Sequence, residues 1–238
     1  MSAGIDAISL AARYAFPPNR RGYCGKASFQ GALAACDTEK ISAELGKFRA
    51  HNAYLSLIAR ENKKGKFDKD VVEAFWIGNK LLENVPQQAL ARFIREELFP
   101  RRSAARALAL ADSIPDGALP HHSFNALYVN FVTDSVRRSV ENYDSCCVTW
   151  GTVLSVSGKK AELMRGSVSA DADGRFFLKP VKCVVALERD GFRFVEPREG
   201  DVVSVHWGMA IEKLSRKRAE SLERYTRINI DACSKGSR

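Results

Sequence analysis

The sequence predicts an α+β protein: an all-α N-terminal domain followed by a small OB-like β-barrel with a C-terminal helix. Three observations predict it. Apolar residues recur at spacings of three and four up to about residue 140. After Tyr143 the period falls to two, and Asp-Gly turns separate several short alternating runs. A basic amphipathic segment then follows Ser215. The expected division is a helical domain over 1–142, a barrel with its helix over 143–230, and a flexible tail over 231–238.

The helical elements follow in order. Ile5 to Phe16 carries Ile8, Leu10, Ala11, Tyr14 and Ala15 on one side, and Pro17-Pro18 is expected to stop it. Lys26–Cys36, Thr38–Phe48 and His51–Arg60 read as helices, and Asn62–Gly65 as a polar loop. Asp68 is placed to cap a helix in which Val71, Val72, Phe75, Trp76, Asn79 and Leu82 line up. Pro86 opens Gln87–Leu98, Pro100 closes it, and Ser103–Ala111 is a further helix. Asp112–Pro120 is rich in turn residues, and Phe124–Val140 leans towards helix.

Then come the strands. Val148–Val156 alternates, Ser157-Gly158 turns, and Ala161–Arg165 is the second strand. Asp173-Gly174 and Asp190-Gly191 are hairpin signals that flank a strand over Val181–Leu187. A last strand covers Asp201–Trp207, and Ser215 caps a helix carrying Leu222, Tyr225 and Ile228.

Composition narrows the function classes. Of 238 residues, 45% are hydrophobic and 27% charged, the balance of a folded globular chain rather than a disordered one. No apolar run approaches the ~20 residues that span a bilayer, so no membrane role is expected. Met1–Leu10 lacks the basic n-region and long apolar core of a signal peptide, and the expected location is the cytoplasm. The six cysteines show no C-x-x-C spacing and read as free thiols. A net charge of +9 invites a nucleic-acid partner, but the basic clusters are dispersed and lack interleaved aromatics. A solvated surface or an acidic protein partner fits that dispersion better.

Two motifs carry chemistry. Cys146-Cys147-Val148-Thr149-Trp150-Gly151-Thr152-Val153-Leu154 places a glycine five residues after a cysteine, followed by a strand. Gly200-Asp201-Val202-Val203-Ser204-Val205-His206-Trp207-Gly208-Met209-Ala210-Ile211 runs from a Gly-Asp turn into a strand that ends in histidine, a spacer, glycine, an apolar residue and alanine. Together with the helix after them, these segments resemble the HypC-type chaperones of nickel-iron hydrogenase maturation, over about 85 residues. The resemblance implies an assembly factor rather than an enzyme. In such a chaperone the cysteine and histidine, here Cys146 and His206, are metal ligands for an iron unit carrying cyanide and carbon monoxide. That unit is held transiently, taken from a scaffold protein of the HypD type and passed to the hydrogenase large subunit. A soft thiolate and an imidazole suit low-spin iron, and few protein ligands suit a cargo that must leave. This chain departs from the pattern in three places: its cysteine is internal rather than next to the initiator methionine, Trp150 stands where proline is usual, and Cys147 adds a second thiol. An insertion over Gly166–Lys179 is expected to enlarge the barrel.

Three further segments, Arg13–Gly25, Glu73–Asn79 and Pro120–Phe124, resemble an uncharacterised prokaryotic family in which a helical region precedes a HypC-like end. The helical region would then bind a partner or shield the cargo. These segments also supply an alternative, a thiol- or metal-dependent enzyme. Cys24 would be the catalytic nucleophile and His121 or His122 the base, with Glu73 nearby. That chemistry needs the pair within ~3 Å. The other alternative is a single-stranded nucleic-acid module on the barrel, using Trp150, Phe176 and Trp207.

Overall fold

The computed structural model of the chain describes residues 6–98, 104–130 and 136–235. It is a mixed α+β protein with helices, a five-stranded sheet and a C-terminal helix, divided into two units, Met1–His121 and His122–Arg238. Among the described residues no helix is long and apolar enough to cross a membrane.

The described part of the first unit is helical. Helix α1 (Ala7–Arg20) starts at Asp6, whose carboxylate accepts the Ser9 N–H at 2.8 Å. The expected stop at Pro17-Pro18 is not found, and the helix runs through both prolines to Arg20. Proline's fixed φ is compatible with a helix, and burying both rings in the last turns offsets the two missing backbone donors. Then come α2 (Ser28–Ala34), α3 (Thr38–Leu45), α4 (Arg49–Glu61) and α5 (Lys69–Trp76). Asp68 stands at the N-cap of α5 but makes no side-chain cap bond there; its carboxylate accepts from the Gly65 N–H at 3.0 Å. Helix α5 ends before Asn79 and Leu82, because the Ile77 and Gly78 N–H groups both return to the Glu73 carbonyl, at 2.8 and 3.0 Å. A 3₁₀ turn covers Lys80–Leu82, α6 spans Gln87–Phe93 and continues as a π turn over Ile94–Leu98, and α7 is Ala104–Asp112. Pro100 and Ser103 lie outside the described residues. The core is aromatic: Tyr14 stacks on Trp76 with ring centres 5.1 Å apart, and Tyr54 lies 5.2 Å from Phe75 and 4.8 Å from Phe93.

The second unit opens with α8 (His122–Phe124), which runs into a π turn over Asn125–Val129. The helix expected over Phe124–Val140 is not continuous. Helix α9 (Val140–Cys146) begins afresh, with the Ser139 hydroxyl accepting the Asn142 N–H at 3.2 Å, while 131–135 lie outside the described residues. The sequence places a boundary after residue 142; the two units divide between His121 and His122. Helical periodicity shows which face of a segment is apolar, not which unit that face meets. Here α9 meets the sheet.

Strands β1 (Thr149–Ser157), β2 (Lys160–Ala170) and β3 (Phe176–Ala186) form a meander, followed by a small hairpin of β4 (Glu188–Arg189) and β5 (Phe192–Arg193). Strands β6 (Val202–His206) and β7 (Met209–Lys213) complete a sheet that closes in the order β1-β2-β3-β7-β6, with β6 pairing back onto β1. Among the described residues only β3 and β7 pair in parallel, at Ala186 and Met209. Residues 166–179 form the far part of the β2–β3 hairpin, pairing Ser167 with Lys179 and Ala170 with Phe176. Alternate inward residues, among them Val153, Leu163, Val185, Leu187, Val203 and Val205, fill the interior.

Helix α10 (Arg216–Lys235) follows Ser215, whose hydroxyl accepts the Arg218 N–H at 3.4 Å. The tail expected from residue 231 is helical through Lys235, with Ala232 and Cys233 buried. The Ser234 hydroxyl accepts the Phe176 N–H at 2.9 Å and donates to the Phe176 carbonyl at 3.1 Å. These contacts hold the last turn on β3.

Candidate metal centre

Cys146 is the last residue of α9, and two anchors aim that helix end. Asp144 accepts Arg165 Nη1 at 2.9 Å and the Val168 N–H at 2.7 Å, in an ion pair whose two side chains are 14% and 13% exposed. The Ser145 carbonyl accepts the Trp207 N–H at 2.9 Å. Gly151 lets β1 approach β2 closely at this point. A Cβ on Gly151 would stand 2.6 Å from the Arg165 Cβ and 2.9 Å from the Met164 carbonyl oxygen. The glycine five residues after the cysteine thus permits the strand pairing that presents Arg165 to Asp144.

His206 is the last residue of β6. Its neighbour Val205 pairs with Thr149 on β1, and His206 itself pairs with Met209 across a two-residue turn. Trp207 and Gly208 make that turn with φ of +50° and +72°, the left-handed pair that a tight hairpin needs. Glycine takes this conformation freely; tryptophan does so at a cost. Trp207 is nonetheless 3% exposed, its indole buried and its carbonyl accepting Arg189 Nη2 at 3.3 Å.

His122 opens α8. The next residue, Ser123, accepts Asn229 Nδ2 of α10 at 3.0 Å in a fully buried bond, which fixes the start of α8 against the C-terminal helix.

These three elements converge. One ligand atom from each of His122, Cys146 and His206 lies within 4.8 Å of the other two, and all three residues are buried. The imidazoles of His122 and His206 meet edge to face, with centres 5.0 Å apart and planes at 85°. Asn130 Nδ2 donates to the Cys146 sulfur at 3.5 Å. Two imidazoles and a thiolate in a buried site are donors for a borderline or soft transition ion, not for calcium or magnesium. The adjacent Cys147 is fully buried; burial, with Cys146, Asp144 and Cys233 adding to it, pushes its thiol well above the ordinary range.

Cys24 is exposed in the loop after α1, where Asn19 Nδ2 holds its carbonyl at 2.8 Å. His121 is fully buried in the first unit; burial holds its pKa down at about 3, against a hydrogen bond to the Trp76 backbone. Among the described residues, Cys24, Glu73 and His121 join no cluster of three potential metal donors. Trp207, proposed as a stacking surface, is buried.

The sequence motifs point to Cys146 and His206 but do not join His122 to them. The weak available signal is a histidine directly before a segment with helical spacing.

Residues 5–237 match the model of a family described as a family of unknown function, DUF6390. The chain belongs to the DUF6390 family. The match crosses both units, so the helical region and the sheet carrying Cys146 and His206 are parts of one DUF6390 chain. No curated protein and no solved structure matches it.

Proposed function

We propose that this DUF6390 protein is a HypC-like assembly factor for nickel-iron hydrogenase, working in the cytoplasm. Its second unit would hold an iron unit bearing cyanide and carbon monoxide through the Cys146 thiolate and the His206 imidazole. The supporting observation is the convergence of these two buried side chains, far apart in sequence, with donor atoms within 4.8 Å of each other. The closed sheet, with strand order β1-β2-β3-β7-β6 and a following helix, is read as the OB-like barrel of such a chaperone.

The chemistry follows from the donors. A thiolate gives the iron its soft ligand and an imidazole a second, exchangeable one. Burial excludes water and strengthens both bonds. Asn130 restrains the sulfur from one side, so the thiolate is presented in a fixed direction. Transfer then requires docking by proteins able to compete for the ion, and a HypD-type scaffold and the hydrogenase large subunit are the proposed partners. The first unit is assigned to partner binding.

The test is spectroscopic. Protein co-produced with the maturation machinery and purified without oxygen is expected to show cyanide and carbonyl infrared bands. Cys146→Ala and His206→Ala should lose them while keeping the fold by circular dichroism. A wild-type protein without bands ends the carrier reading.

A further inference from the structure

We infer that His122 is a third protein ligand, so that His122, Cys146 and His206 hold one divalent transition ion on an N2S face with a further coordination position open. The inference rests on the same Cys146–His206 pair as the carrier reading but not on its iron cargo.

Three features carry it. The first is the shared centre. Zinc–nitrogen bonds of about 2.0 Å and zinc–sulfur bonds of about 2.3 Å put tetrahedral ligands roughly 3.3–3.5 Å apart. The three donors are already mutually within 4.8 Å, so an ion draws them in by about an ångström or less on each side. The second is ring orientation. Imidazoles with planes at 85° can each point a nitrogen at a common position beside the sulfur, which parallel stacked rings cannot. An edge-to-face pair alone accounts for two buried histidines, but not for a buried thiol within reach of both.

The third is independent anchoring. Each donor is set by a different element: His122 beside the Ser123–Asn229 bond, Cys146 after the Asp144–Arg165 pair, and His206 by the β6 register. A donor set fixed before the ion arrives loses little conformational entropy on binding. Three protein ligands rather than four is the pattern of a site that keeps an exchangeable position. The thiolate and imidazoles select zinc, cobalt(II) or iron(II) over hard cations.

Cobalt(II) alone is the probe, titrated without oxygen into the full chain carrying Cys24→Ser and Cys36→Ser, which remove the two exposed thiols. The expected result is one ion bound, with a near-ultraviolet thiolate-to-cobalt band and visible bands of a four-coordinate ion. Cys146→Ser should abolish the near-ultraviolet band, and His122→Ala should weaken binding at least tenfold. His122→Cys should restore binding with a stronger thiolate band, so a folding defect in the alanine variant leaves the inference testable. No cobalt binding by the parent chain, or undiminished binding by His122→Ala, overturns it. Infrared bands in a chain whose cobalt affinity ignores His122 would keep the carrier reading and end this one. Cobalt binding through all three residues without infrared bands would do the reverse.

Discussion

The Trp207 N–H donates to the Ser145 carbonyl at 2.9 Å, tying the turn after His206 to the residue before Cys146. The same tryptophan has φ +50°, which costs a bulky side chain roughly 1–2 kcal/mol. Burying its indole outweighs that cost, since truncating a buried tryptophan removes about 3–5 kcal/mol. Trp207→Ala should therefore destabilise the second unit by roughly that amount. Trp207→Gly should be about 1 kcal/mol less damaging than Trp207→Ala, the reverse of the usual order of alanine and glycine. Urea denaturation of both variants checks this, and equal stability, or alanine above glycine, would contradict the strained turn.

Asp144 and Arg165 predict a second pair of outcomes. Removing one partner of a buried ion pair strands the other, and Asp144→Ala should cost about 3 kcal/mol. Gly151→Ala reaches the same pair from the side, by driving β1 away from Arg165, at roughly 1–3 kcal/mol. If the pair aims Cys146, both variants should also weaken cobalt(II) binding under conditions where they remain folded. Isothermal titration at low temperature separates the two effects: unchanged affinity would confine the pair to stability.

How far the sequence discloses such relationships depends on their range. The strands are legible because alternation is a local signal, and so is the Asp190-Gly191 turn of the β4–β5 hairpin, which forms with both residues at positive φ. Cys146 and His206 are legible because Cys146 opens a recognisable cysteine–glycine–strand motif and His206 ends a strand before a tight turn. His122 is not, because its partners are set by how α8 lies on α10, through Ser123 and Asn229, and spacing along the chain does not encode that. Pro17-Pro18 is misleading for a related reason: the local signal says stop, and burial of both rings overrides it. The segment from His122 to Cys146 reads as helical wherever it packs, so the boundary at residue 121 waits for the Tyr143–Phe176 and Asp144–Arg165 contacts.

The end of α10 yields a prediction opposite to that for a loose tail. Truncation after Ile230 removes buried Ala232 and Cys233 and both bonds from Ser234 to Phe176. The lost burial and hydrogen bonds amount to roughly 2–4 kcal/mol. That corresponds to a fall in melting temperature of about 10 °C or more for a unit of this size. Calorimetry of the truncated chain checks it; an unchanged melting temperature would show that the last turn contributes nothing.

The first unit carries the clearest pH dependence, through His51. It is 6% exposed, its ring 5.6 Å from that of Phe75 and 5.7 Å from that of Trp76. Burial, with the positive charge of Lys66 adding to it, holds its pKa down at about 3. His121 is held at about 3 by burial as well. An unfolded histidine titrates near 6.5. Between those values the unfolded chain binds a proton that the folded chain refuses, so stability is fully present above about pH 6.5 and is lost as pH falls towards 3. Each histidine contributes a slope of about 1.4 kcal/mol per pH unit, or roughly 3 kcal/mol between pH 7 and pH 4.5. His51→Phe keeps an aromatic ring in the cage and removes one of the two titrations. The variant should therefore lose about 3 kcal/mol less than the wild type over that interval, whatever its stability at pH 7. Denaturation of both proteins at the two pH values measures this difference, from which the carboxylates common to both cancel. Parallel acid limbs would mean that His51 already carries its proton in the folded state.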